Sequence, residues 1–136
     1  MKRTHWHPYL LVALGSALGG SCRLLLSDWS LAYFGHGFPW GNLLVNVLGS
    51  ALIGFYAALP AGRRFTGGGM HLFVTAGFCG GFTTFSLFSL ETLALVADGA
   101  WLMAGSFVLL SIILWLAAVS AGYLVGKQIH LAEPIQ

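Results

Sequence analysis

Charge is what this sequence has least of. Six Lys/Arg and four Asp/Glu are spread over 136 residues, 7 % of the chain, where soluble domains carry about 25 %. A soluble fold of this size covers its surface with polar and ionised side chains, and this chain does not have them. A net charge of +2 cannot form a phosphate-tracking stripe, which excludes a nucleic-acid binder. Cysteine is equally sparse. Cys22 and Cys79 are isolated, lack metal-ligand spacing, and imply neither a disulfide framework nor a thiol enzyme. His5-x-His7 reads as a solvated pair on a terminal tail rather than a metal site. No ATP motif, catalytic dyad or cofactor fingerprint is present, so the chain does not read as an enzyme.

What is there is apolar. Hydrophobic residues make up 57 % and the mean hydropathy is +0.83, which excludes intrinsic disorder and points to an integral membrane protein. A membrane helix needs about 20 mostly apolar residues to cross roughly 30 Å of hydrocarbon. The uncharged stretches predict helices over 8–27, 39–60, 70–97 and 101–128, one all-α domain of four spans joined by short connections. Pro39 falls just inside the second helix, where its missing N–H costs nothing, and Asp28 and Asp98 fall in loops. The runs show no two-residue alternation, so strands of a β-barrel are excluded. Gly19-Gly20-Ser21-Cys22 superficially resembles a lipoprotein cleavage site, but Arg23 and Leu24-Leu25-Leu26 follow it, and the segment is kept as the first span.

Nineteen glycines are about twice the usual share of roughly 7 %. Gly15/Gly19, Gly77/Gly81 and Gly122/Gly126 each stand four apart, the spacing that lets helix backbones approach closely in lipid, within or between subunits. Leu14-Gly15-Ser16-Ala17-Leu18-x-Gly20 recurs as Leu48-Gly49-Ser50-Ala51-Leu52-x-Gly54, read as a coincidence of small packing residues. The third span differs. Gly77, Gly80 and Gly81, followed by Thr83 and Thr84, make a poor continuous helix. It reads either as a kinked packing helix or as a break near Gly80–Thr83 whose exposed backbone lines water or binds an ion; the second reading is preferred. Phe82, Phe85 and Phe88 recur every three residues beyond it, with Ser86 and Ser89 alongside. In the second span Asn46 interrupts an apolar run, with Asn42 one turn earlier. Asn46 is either a helix–helix hydrogen bond or a pore group whose NH₂ offers two donors to an anion.

Three motifs carry a family resemblance: Gly19-Gly20-x-x-Arg23, Gly41-x-Leu43-x-Val45-Asn46-x-x-Gly49, and Gly77-Phe-Cys-Gly-Gly-Phe-Thr-Thr-Phe-Ser-x-Phe88 with Glu91-Thr92. Together they resemble the fluoride channels called Fluc, or CrcB, over essentially the whole chain. The resemblance implies an antiparallel, dual-topology dimer in a bacterial inner membrane, with two pores near the subunit interface and a sodium ion at its centre. By motif it implies Phe85 and Phe88 as pore-lining rings, Asn46 as the pore amide, and Gly80 and Thr83 as carbonyl ligands of sodium. Ser111 matches a fourth-span hydroxyl along the pathway, and Arg23 a structural residue near the vestibule. The sequence departs from the family pattern where Asn42 and Leu87 replace threonines and where Trp115 replaces a second fourth-span hydroxyl.

The chemistry suits an anion. Phenyl edges carry positive partial charge and face a halide without trapping it, as conduction through weak successive sites requires. Carbonyls at a helix break suit a hard cation. Glu91 is either a proton-coupling group or a hydrogen-bonding group at a helix end or interface. With four spans, Lys2, Arg3, Arg63, Arg64 and Lys127 share one side and at most Arg23 the other, a bias that puts both termini in the cytoplasm. An antiparallel homodimer prefers no such bias, so either the chain inserts both ways or it pairs with an oppositely oriented paralogue; the homodimer is preferred. The leading function is passive fluoride export. The alternatives are a small four-helix proton-coupled exporter of cationic drugs, which needs a buried carboxylate that the first span lacks, and a structural membrane subunit.

Overall fold

The computed structural model describes residues 6–59 and 67–132. Lys2, Arg3, His5, Arg63 and Arg64, which enter the sequence reading, lie outside the described residues, as does the expected end of the second helix at residue 60. The order is α1 (His7–Phe34), α2 (Trp40–Ala58), α3 (Gly68–His71), a π-helical stretch (Leu72–Cys79), α4 (Gly80–Phe82), α5 (Phe85–Ala97) and α6 (Trp101–Ala132). Four segments are long and apolar enough to cross a bilayer: His7–Phe34, Trp40–Ala58, Gly68–Ala97 and Trp101–Ile129.

The first helix runs seven residues past its expected end at 27, and Asp28 is helical rather than in a loop. At about 1.5 Å per residue, 28 residues overshoot a hydrocarbon core of about 30 Å, so the charge marks the interface, not the helix end. Gly35 ends it, at φ +75°, with its N–H on the Leu31 carbonyl at 2.9 Å. Pro39 caps α2 from outside, at ψ 59°, instead of opening it. Between α5 and α6, Gly99 also has φ +75°. Its N–H reaches Val96 at 3.0 Å and that of Ala100 reaches Leu95 at 2.9 Å, a Schellman closure that lets three residues reverse the chain. Trp29 stacks on Tyr33 and Phe34 packs on Trp40 at this end, aromatics at the level where a membrane meets water.

Two backbone-to-backbone seams hold the bundle. In one, α1 crosses the first half of the third span. A Cβ on Gly19 would run into the Phe78 carbonyl, one on Gly81 into the Ser16 carbonyl, and one on Gly15 into Phe73, while the Ser16 hydroxyl donates to the Gly77 carbonyl at 3.3 Å. In the other, α2 lies along α6: Gly54 abuts Val119, and Gly122 and Gly126 abut Ala51 and Phe55. All three glycine pairs therefore serve packing within the chain. Leu43, Phe88 and Phe107 form a small core, with Phe38, Val47, Leu95, Val108 and Trp115 against it. Large apolar side chains such as Leu25, Leu102 and Leu116 stay exposed, which suits a lipid surround.

Candidate functional site

Thr83 and Thr84 are extended, at φ −78°, ψ 156° and φ −151°, ψ 122°, between the helical residues Phe82 and Phe85. Backbone groups here lose their helical partners and must be satisfied otherwise. Asn46, 6 % exposed, does this from α2. Its Oδ1 accepts the Thr84 N–H at 2.8 Å, and its Nδ2 donates to the Thr84 carbonyl at 2.9 Å and to Asn42 Oδ1 at 2.7 Å. The side-chain amide thus pairs with both backbone groups of one residue, as a neighbouring strand would. Both of its donor hydrogens are engaged within the chain, so Asn46 here holds the interruption open and has no hydrogen left for an anion.

The same rearrangement releases carbonyls, those of Gly80 and Thr83 among them. In a continuous helix Gly80 would receive the N–H of Thr84, and Thr83 that of Leu87. The Thr84 N–H goes to Asn46, and the Leu87 N–H goes to the Thr84 hydroxyl at 3.2 Å, which caps α5. Sequence reasoning passed over Thr84, although a threonine directly before an apolar helical run is an N-cap signal. A Cβ on Gly49 would strike the Thr83 methyl, so the second span fits against the interruption only with glycine there.

Phe85 and Phe88 follow at once, ring centroids 5.5 Å apart. Phe88 is 8 % exposed, Phe85 71 %. Phe88 also meets Phe107 at 5.2 Å and Trp115 at 5.0 Å, whereas Phe85 projects from the chain beside a cavity of about 180 Å³ shared with Asn46, Ser50, Thr83, Thr84 and Trp115. Ser111, fully buried on α6, lies one turn before Trp115.

A second cavity, of about 200 Å³, opens at the α1–α2 end. Arg23, Asp28, Asn42, Thr84 and Glu91 are among its lining, so it brings the first-span arginine and the third-span carboxylate of the sequence reading together. Among the described residues the buried Arg23 Nε finds no hydrogen-bond partner, and the Asn42 amide and the Glu91 carboxylate lie close to each other on the wall of this cavity. Thr84 borders both cavities, and the Asn42–Asn46 bond runs between them. Arg23, Asn42 and Glu91 therefore line one cavity and Asn46 and Phe85 the other, while Gly80, exposed and with open space where a Cβ would stand, lies at the start of the interruption.

The family model for CrcB-like protein, Camphor Resistance (CrcB), matches residues 10–123. A protein of Opitutus terrae named fluoride-specific ion channel FluC is 50 % identical over 118 residues, covering 85 % of this chain and 89 % of that one. The FluC of Paramagnetospirillum magneticum is 48 % identical over 124 residues, 90 % of this chain and 97 % of its own. That of Methylocella silvestris is 45 % identical, again over 124 residues, 90 % of this chain and 95 % of its own.

Proposed function

The chain belongs to the CrcB family, and from that premise we propose that it is a fluoride-selective ion channel, passing fluoride passively out of the cytoplasm across a bacterial inner membrane. The observation that carries the reading is the Asn46 clamp on Thr84, which keeps an extended segment beside two phenylalanines in an otherwise apolar bundle.

In this reading the Arg23–Asn42–Glu91 cavity is the vestibule, and the anion passes Phe85 and Phe88 edge-on. Asn46 acts by fixing Thr84, and Ser111 supplies a hydroxyl. A ring edge holds a halide weakly enough to release it, which a lysine at the same place would not. The exposure of Phe85 supports a second copy of the chain across it, arranged antiparallel, so that the exposed ring becomes part of a pore wall at the subunit interface. The released carbonyls of Gly80 and Thr83 support a structural sodium. Two per chain are too few for a hard cation, and a two-fold axis brings four. Sodium when bound supplies positive charge at the dimer centre and joins the subunits.

Fluoride efflux from liposomes containing the purified chain, run beside chloride efflux, tests the function: fluoride flux without chloride flux is expected, and no fluoride flux overturns it. The same preparation tests the assembly. An active antiparallel dimer from the chain expressed alone supports the homodimer, and activity only with an oppositely oriented paralogue overturns it.

A further inference from the structure

We infer that His36, in the connection between α1 and α2, makes anion entry depend on pH: its protonation speeds the passage of an anion into the neighbouring vestibule. The inference rests on the channel reading and adds a regulating residue to it. His36 is exposed, with a glycine on either side in Phe34-Gly35-His36-Gly37-Phe38. It lines a cavity of about 290 Å³ with Glu91 and Asp98, which stand on α5 and at its end. Leu31, Phe38, Pro39 and Glu91 border this cavity and the Arg23–Asn42–Glu91 cavity alike. The two spaces are therefore neighbours, parted by three apolar side chains and one carboxylate.

The charges around His36 give its protonation a sign. From α5 and its end come Glu91 and Asp98. From α1 come Asp28 and Arg23 on the adjoining cavity, and Tyr33 just before the connection. The near ends of α2 and α6 carry no ionisable group. Three carboxylates against one guanidinium make this mouth unwelcoming to an anion. Histidine is the side chain whose charge changes between pH 5 and 8. As pH falls, a proton on His36 cancels one of the excess negative charges. The field of that proton crosses an apolar wall, which screens it less than water does. Among the described residues the other histidines, His7, His71 and His130, stand toward the opposite end of the bundle, so at this mouth the titrating imidazole is that of His36.

Single-channel current in planar bilayers reads the anion alone, because hydrogen fluoride crosses uncharged. At fluoride concentrations below saturation, wild-type current is expected to rise about two- to threefold between about pH 7.5 and about pH 5.5. The step is expected to fade at saturating fluoride, where entry no longer limits, and in concentrated sodium gluconate, which screens the charge. His36→Gln is expected to keep the alkaline current at both pH values and His36→Lys the acid current, each with an unchanged size-exclusion profile. A wild-type current that ignores pH, or a step that persists in His36→Gln, overturns the inference and leaves the channel reading standing. A wild-type protein that passes no fluoride at either pH overturns the channel reading, and this inference with it.

Discussion

The two halves of the third span are held in opposite ways. Before the interruption, Gly77 and Gly81 press against Gly15 and Ser16 with backbone on backbone, leaving no room for a methyl group. After it, α5 meets its neighbours through side chains, Phe88 on Phe107 and Trp115, and leaves Phe85 largely outside. Close backbone contact fixes position, because it allows no rotamer to absorb a shift. Side-chain contact leaves room for a passing ligand. The first half thus anchors the interruption against α1, and the second presents aromatic edges to whatever moves beside it. Asn46 stands at the boundary and belongs to both.

The sharpest way to break this contrast is to add a side chain to the anchored half. Gly19→Val should destabilise the protein by about 3 kcal/mol or more, seen as loss of the folded species on size exclusion. Gly105→Ala, where a Cβ meets open space, should leave that profile unchanged or raise the melting temperature slightly. At the boundary, Asn46→Asp keeps an acceptor for the Thr84 N–H but loses both donors and adds a buried charge. Fluoride flux should drop by about a hundredfold or more, and flux within threefold of wild type would show that the clamp is dispensable.

The outer half should separate flux from stability. Phe85→Ile and Phe88→Ile should each lower flux by about tenfold. Thermal unfolding should shift for Phe88→Ile, by about 1–2 kcal/mol, and far less for Phe85→Ile. Equal unfolding shifts would contradict the idea that only one of the two rings belongs to the chain's own core. Thr84→Val removes the cap on the Leu87 N–H and leaves the Asn46 bonds to the backbone in place, and thermal unfolding should register a cost of about 1 kcal/mol.

The spans were legible because charge is so scarce: an 18-residue window without ionised groups has few soluble readings. The end of α1 was not, since Asp28 looked like a terminus and the turn chemistry of Gly35 lies seven residues on. The glycine spacing announced close packing but not its partner, because Gly19 and Phe78 are far apart in sequence and meet only through topology. The extended pair, Thr83 and Thr84, begins at the last residue of the stretch singled out for weak helical propensity. Asn46 drew attention as an amide in an apolar run, and both uses offered for it were reasonable chemistry. Only the fold reveals that Thr84, 38 positions away, takes one of its hydrogens and donates to its oxygen, while Asn42 takes the other hydrogen. Trp115 read merely as a lost hydroxyl, since burial of a single nitrogen leaves no trace in sequence.

The interruption has an electrical consequence. The helical stretch that ends at Phe82 brings the carbonyl pole of its macrodipole to this place, and the 13-residue α5 brings the amide pole of its own. Each pole is worth roughly half an elementary charge. A few ångströms therefore hold a negative pole and a positive pole side by side, made only of peptide bonds. Ions of opposite sign can be sorted there without an ionised side chain, and no change of pH within the range of life can switch either pole off.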